Sequence, residues 1–414
     1  MPPRKRKLTK STLKEEKRNT KTKTICSCCD AEGKQASGCS CRGGGKRSSH
    51  QCRKCLELPL PLTTETSVTL TEALNPYFNE IKLAEIVYGY LGKRNTFIFT
   101  WQIDSADYAP LLNESYSKKA KKFSITLPLE PANPLDFWIQ WGDGTANHIT
   151  SYDQKETTHV YPKDGDYIVH IDGAISGFAF GNGHNRWANN ILDISQWGCV
   201  GLGTHGYQFH ECQSLNISAV DTPELSKVTN MSHMFYNTSL EDEDLSQWDT
   251  SNVTNMEYMF YRTEFNGDIS KWDTRNVVKM QFMFAYNTAF NGDISGWDIN
   301  NVINMNGMFQ YASDFEGDLS RWNTSNLTNM NSMFQHAALF NSDISGWHTS
   351  NVTHMSYTFQ MAKNFNCDLS GWITSKVKYM KSTFHGASSF NRDCTDDWDL
   401  ESIEHDYRAM FRKP

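Results

Sequence analysis

Seven of the chain's eleven cysteines crowd one stretch, as Cys26, Cys28 and Cys29, then Cys39 and Cys41, then Cys52 and Cys55. Thiolates that close tight turns through Cys-x-Cys and Cys-x-x-Cys suit tetrahedral zinc. Its binding energy can fold a segment whose Gly, Ser and Lys spacers make no core. The neighbouring Lys and Arg residues lower thiol pKa values and offset the charge of a four-thiolate site. Only Cys52-x-x-Cys55 has the usual knuckle spacing, so structural zinc is expected here against the alternative of a disulfide-linked or unstructured cysteine tail. No Glu or His constellation stands nearby for a catalytic zinc. Ahead of the cysteines, Arg4, Lys5, Arg6 and Lys7 form a cluster suited to phosphate contact or nuclear import. Without aromatic residues to stack on bases, it reads equally as a solubilising tail. A further acid, Asp143 in Trp141-Gly-Asp-Gly-Thr145, sits between two glycines as a metal or catalytic carboxylate could; its simpler role is the hairpin residue that satisfies its own turn.

These groups are carried by a chain of 414 residues, 38% hydrophobic, with a net charge of -7. Residues 1–55 hold sixteen Lys/Arg against four Asp/Glu, about +12, which leaves about -19 for the rest: a basic tail tied to an acidic body. The other four cysteines, Cys199, Cys212, Cys367 and Cys394, show no pairing pattern, which favours a reducing compartment. No apolar run approaches the ~20 residues of a membrane span, and the charged N-terminus lacks the apolar core of a signal peptide. These features leave the compartment unassigned but favour an intracellular one, the nucleus and a virion among the options.

Residues 1–24 read as a disordered basic arm, 25–55 as the cysteine segment and 56–72 as a Pro/Thr-rich linker. Over 73–93 a short helix is expected: Asn75-Pro76 fits its start, Gly92 its end, and Leu83, Ile86, Val87, Tyr90 and Leu91 make one apolar stripe. That helix distantly resembles the Leu/Ile-rich signature of an F-box, which implies docking to a ubiquitin-ligase subunit, although the further helices of that module are missing. Packing on the neighbouring β segment is the plainer expectation. From 94 to 181 short alternating runs, Phe97–Trp101, Phe123–Leu127, Phe137–Trp141 and Tyr167–Ile171, predict a small β-sandwich. Its Trp141-Gly-Asp-Gly, His159-Val-Tyr161 and Gly165-Asp-Tyr167 resemble the signature of PKD-like domains, immunoglobulin-type sandwiches that serve as spacers and adhesive modules.

Residues 191–414 rewrite one sentence at a period near 25: Phe265-Asn-Gly-Asp-Ile-Ser-Lys-Trp272-Asp-Thr-Arg-Asn-Val277-Val-Lys-Met280-Gln-Phe-Met-Phe284 is a clear copy. Tryptophans recur at 248, 272, 297, 322, 347, 372 and 398, with phenylalanines in step from Phe235 to Phe384. Asp193-Ile-Ser-Gln-Trp197 starts the series, and the next coil has Ala219-Val-Asp-Thr-Pro223 where its tryptophan belongs. The apolar spacing is too irregular for a continuous helix. It predicts a strand near Val277–Met280, a single helical turn near Met283–Asn287, and stacked Trp, Met and Phe columns, since a coil of this length cannot bury its core alone. The recurring Asp and Asn residues are expected at turns, bonding nearby backbone; few carboxylates per coil argue against a calcium ladder.

Asp244-Leu-Ser-Gln-Trp-Asp-Thr-Ser-Asn-Val-Thr-Asn-Met256 and its copies resemble the BspA-like leucine-rich-repeat surface proteins. The resemblance implies a mainly β chain with short helical turns, a leucine-rich-repeat-type solenoid of about eight to nine coils preceded by the small β-sandwich. It also implies adhesion or protein interaction without chemistry of its own. Positions just after the core phenylalanine vary and carry contact-making groups: Tyr261, Tyr286, Gln310, Tyr311, Gln335, His336 and Gln360 are the expected partner-binding residues. The expected function is therefore a non-catalytic repeat protein binding a macromolecular partner along one flank, with no small-molecule substrate. Two alternatives stand beside it: a ubiquitin-ligase adaptor acting through residues 74–92, and a nucleic-acid-associated protein acting through residues 1–55.

Overall fold

The computed structural model describes residues 95–104, 123–131, 135–181, 187–198, 200–404 and 410–411. The expected basic arm, cysteine segment, linker and amphipathic helix lie outside them. Among the described residues regular structure is almost wholly β, with helix confined to short 3-10 turns.

Alternation of large apolar residues builds the front sheet. In β1 (Phe97–Ile103), Phe97, Phe99, Trp101 and Ile103 all point into the core and are at most 1% exposed. β2 (Phe123–Thr126) pairs only with β5 (Thr158–Tyr161), as a separate two-stranded ribbon. The larger sheet runs β4 (Ala146–Ile149), β3 (Asp136–Gln140), β6 (Gly165–Phe178), β1, β7 (Ile191–Gln196) and β9 (Asn216–Ile217), and β8 (Val200–Leu202) joins β6. The 14 residues of β6 are shared among three neighbours. Its first half pairs antiparallel with β1, Trp101 opposite Tyr167, and its end pairs parallel with β8, Ile175 opposite Val200. Gly173 lies between these stretches at φ +123°, where an added Cβ would fall 2.5 Å from the Asp136 carbonyl oxygen, so only glycine fits. β7 carries the first Asp-Ile-Ser-x-Trp copy; it pairs antiparallel with β1 and parallel with β9, Asp193 opposite Asn216. The front sheet thus passes directly into the repeats.

Each later coil meets the next through one parallel bridge, in the series Asn230, Asn255, Lys279, Asn304, Asn329, His354 and Tyr379. The strand expected at Val277–Met280 therefore shrinks to the single bridge residue Lys279. The helical turn expected at Met283–Asn287 does not form. Phe282 and Tyr286 have φ of +55° and +59°, and N–H groups alternate in direction. Those of Met283, Ala285 and Asn287 turn back three residues, to Met280, Phe282 and Phe284, whereas those of Phe282, Phe284 and Tyr286 reach Asn306, Met308 and Gln310 of the next coil. A helix would spend every donor within its own coil; this alternation commits half of them to the neighbour.

Side chains then stack in register. Trp272 lies over Trp297 at 6.2 Å and Trp347 over Trp372 at 6.4 Å, each within 4° of parallel. The phenylalanine column continues unbroken from Phe235 through Phe260, Phe284, Phe309, Phe334 and Phe359 to Phe384, with centroids 5.4–5.7 Å apart. Full burial of each such ring contributes about 2–3 kcal/mol. Asp244, Asp268, Asp293, Asp318, Asp343 and Asp368 accept from the backbone N–H two residues on, as expected of turn acids. The Asn ladder behaves otherwise: Asn252, Asn276, Asn301, Asn326 and Asn351 donate to carbonyls of the preceding coil, 25 or 26 residues back. At the far end Phe411 stacks on Phe384 at 5.5 Å and Arg392 covers the Phe411 ring, closing off the last coil.

Candidate functional site

Asp143 is accounted for by its neighbours. Its side chain is 7% exposed and accepts from the Thr145 N–H at 3.0 Å, the Thr145 hydroxyl at 2.6 Å and His159 Nε2 at 2.8 Å. Burial opposes the carboxylate, but these hydrogen bonds outweigh it and hold Asp143 below the usual range. The His159 ring stacks on Trp141 at 4.6 Å, and the Tyr161 hydroxyl donates to the Trp141 carbonyl at 3.0 Å. The three short motifs of this segment close on one another, and every oxygen of the acid has work within the fold.

The repeats present a different feature. Two half-exposed columns flank the buried phenylalanines, and the expected partner-binding residues fall in them. Tyr286 stacks on Tyr311 at 4.6 Å and Tyr311 on His336 at 4.3 Å; Tyr261 stacks on Tyr236 at 4.9 Å and meets Tyr286 edge-on at 5.4 Å. The Arg262 guanidinium lies over the rings of both Tyr261 and Tyr286. Beside them runs an amide ladder, Gln310 Nε2 donating to Gln335 Oε1 and Gln335 Nε2 to Gln360 Oε1, with Gln360 Nε2 lying 3.4 Å from His385 Nδ1. All seven residues are thus brought onto one strip. Because neighbouring rings cover each other's faces, the strip offers a partner ring edges, phenol groups and amide ends. Burial pushes the phenols of Tyr258 and Tyr261 up, so they stay neutral hydrogen-bonding groups.

A further column escaped the sequence reading. Tyr207, His233, Tyr258 and Phe282 stack successively at 4.4, 4.7 and 4.8 Å, all with positive φ. Their signal is in the spacing, since each stands two residues before a core aromatic position. The column ends at Gly307, whose backbone lies against the Phe282 ring.

His233 in this column is sandwiched between Tyr207 and Tyr258, and its Nδ1 is buried without a hydrogen-bond partner. Burial, helped by the nearby His210, lowers its pKa to about 4. The unfolded chain takes up this proton near pH 6.5 and the folded chain only near 4, so stability is lost as pH falls from 6.5 toward 4. Between pH 7 and 5 the loss from this half-buried ring is expected to be about 1 kcal/mol after solvent screening. His170 and His336 are lowered too, mainly by burial, and act in the same sense. His233→Phe keeps a ring in the stack and removes the proton. Urea melts of wild type and variant at the two pH values should show a smaller acid loss in the variant; equal losses would remove His233 from this account.

The metal-ligand candidates Cys26, Cys28, Cys29, Cys39, Cys41, Cys52 and Cys55, and the phosphate-contact candidates Arg4, Lys5, Arg6 and Lys7, lie outside the described residues. Among the described residues no group of three His, Cys, Asp or Glu side chains could hold a metal ion, and no helix is long and apolar enough to cross a membrane. Burial raises the thiol of Cys212, and that of Cys367 to about 11, which keeps both protonated at neutral pH. A family model described as "Mycoplasma protein of unknown function, DUF285" matches residues 205–322 and again 308–414, together 210 of the 414 residues. No curated protein and no solved structure matches the chain.

Proposed function

We propose, from the premise that the chain belongs to the DUF285 family, that it is a non-catalytic interaction protein whose repeats form a leucine-rich-repeat-type solenoid of the BspA-like kind. In this reading the segment 94–181 is a PKD-like module that carries the solenoid, and the cysteines between Cys26 and Cys55 hold structural zinc. A protein partner binds along the strip of Tyr261, Tyr286, Gln310, Tyr311, Gln335, His336 and Gln360. The observation that carries the reading is the strip itself, where half-exposed aromatic and amide ladders run side by side across successive coils. Tyr, Gln and His present polar edges from a rigid base, so little side-chain entropy is lost on contact. Repeat stacks characteristically use such extended surfaces for binding.

A photo-crosslinking amino acid placed at Tyr286 tests this against the same group at Lys271, an exposed position elsewhere on the coil. Capture of one specific protein from Tyr286 but not from Lys271 is expected. Alanine at all seven positions should weaken binding of that protein by about 100-fold or more while the melt stays cooperative. Equal capture from both positions, or unchanged binding by the alanine variant, rejects the strip.

A further inference from the structure

The coil that lost its tryptophan leaves an opening in an otherwise repetitive wall. From Trp272 onward each tryptophan indole N–H donates to a carbonyl 27 to 29 residues earlier: Trp272 to Leu245 at 2.8 Å, Trp297 to Ile269, Trp322 to Ile294, Trp347 to Leu319, Trp372 to Ile344 and Trp398 to Leu369. The Leu and Ile residues of this series are at most 1% exposed. The matching residue for Trp248 is Val220, and Val220 is fully exposed. The coil is turned outward there. Pro223 supplies no N–H to the stack, and both oxygens of Asp221 accept from the backbone of the coil before, from Trp197 N at 3.0 Å and Gly198 N at 2.8 Å.

Two consequences follow. Trp248, only 4% exposed, has no acceptor for its indole N–H among the described residues and turns edge-on to Trp197 at 5.5 Å. A cleft of about 310 Å³ lies beside this pair, lined by Ile217, Ala219, Val220, Leu245 and both tryptophans and edged by Asp221, Glu243 and Asp244. An adjoining depression shares Ile217 and Glu243 and is edged by Glu241 and Asp242, so four consecutive carboxylates run along the rim. None of them takes part in the ion pairs of the described residues.

What is missing from this place is a branched aliphatic side chain and a backbone carbonyl; what surrounds it is negative charge. We propose that the cleft binds an extended segment of a partner protein presenting Leu or Ile followed by Lys or Arg. The aliphatic group seats beside the tryptophan pair, against Ile217, Ala219 and Val220, a backbone carbonyl accepts from Trp248 Nε1, and the cation meets Glu243 and Asp244. The segment lies alongside the coil of Val220, as an added strand does at an open sheet edge, and its charge distinguishes it from the chain's own Asp-Leu-Ser runs. This site is independent of the aromatic and amide strip.

The test uses the full chain with its tryptophan indoles labelled with nitrogen-15, the Trp248 signal being assigned with Trp248→Phe, and the probe acetyl-Gly-Leu-Lys-Lys-Gly-amide. The Trp248 N–H resonance should shift on titration while those of Trp322 and Trp347 stay in place. The double variant Glu243→Gln/Asp244→Asn keeps an oxygen at each position to accept from the Glu241 and Ser246 N–H groups; with a melt matching wild type, it should raise Kd by about tenfold or more. Replacing the probe's leucine with alanine should do the same. No shift at millimolar probe, an unchanged Kd in the double variant, or equal binding of a probe with Glu for Lys overturns the proposal. So does a Trp248 shift that follows protein concentration without any probe, since a second copy of the chain would then be the occupant.

Discussion

Phe309→Ala is expected to lower the unfolding free energy by about 3–5 kcal/mol, the largest effect of any single truncation in the repeats. The ring is fully buried and lies between Phe284 at 5.7 Å and Phe334 at 5.6 Å, nearly parallel to both. It also rests on Phe315 at 4.1 Å and meets Trp322 at 6.4 Å. Truncation therefore removes contacts to two neighbouring coils as well as its own. The backbone around it is tied to those coils by alternating hydrogen bonds, Phe284 N to Met308 O and Phe309 N to Met333 O, so the cavity cannot collapse without breaking them. Because a stacked array is stabilised coil to coil, the loss falls on the interfaces either side of position 309 and should broaden the urea transition or split it. A loss under 1 kcal/mol with an unchanged transition would mean that the phenylalanines do not form a continuous core.

The second large effect is expected at Gly307, where alanine should cost about 2–3 kcal/mol. The residue has φ +62°, and an added Cβ would fall 2.3 Å from the edge of the Phe282 ring, which occupies the space a side chain would need. Strain alone does not set this figure: Ser332, at the equivalent place one coil on, already holds φ +53° with a Cβ. Ser332→Ala should accordingly change stability by less than about 0.5 kcal/mol. Removing the ring in Phe282→Ala/Gly307→Ala should recover part of the loss, leaving the smaller backbone term. Thermal melts of the four proteins check this. Additive losses in the double variant would show that the ring is not the obstacle.

The regularity of the core was legible because it depends on side-chain type alone: a tryptophan or phenylalanine every 25 residues in a chain otherwise poor in apolar groups must stack or stay wet. The turn acids were legible for a similar reason, since Asp268 and its equivalents bond a backbone N–H two residues away and need no distant partner. The Asn ladder was read only in part, as turn residues. Its amides cross to the preceding coil, and nothing local to Asn276 states that the Ser251 carbonyl will be in reach. The candidate strip was half legible. The seven residues after the core phenylalanines were visible as variable and polar, but not their joining into ladders, nor the parallel column from Tyr207 to Phe282.

By itself, then, the amino-acid sequence determined the period, the identity of the buried columns, the alternating front strands and the coil that lacks its tryptophan, each a matter of which side chains avoid water and at what spacing. Only the tertiary structure decided the backbone between them. Phe282 and Tyr286 take left-handed conformations that their own side chains disfavour, because the carbonyls that satisfy their N–H groups belong to the next coil. In the same way, where the tryptophan is missing, Asp221 accepts from the Trp197 and Gly198 N–H groups one coil back, Val220 stands exposed, and the Trp248 indole is left without the carbonyl that its equivalents reach.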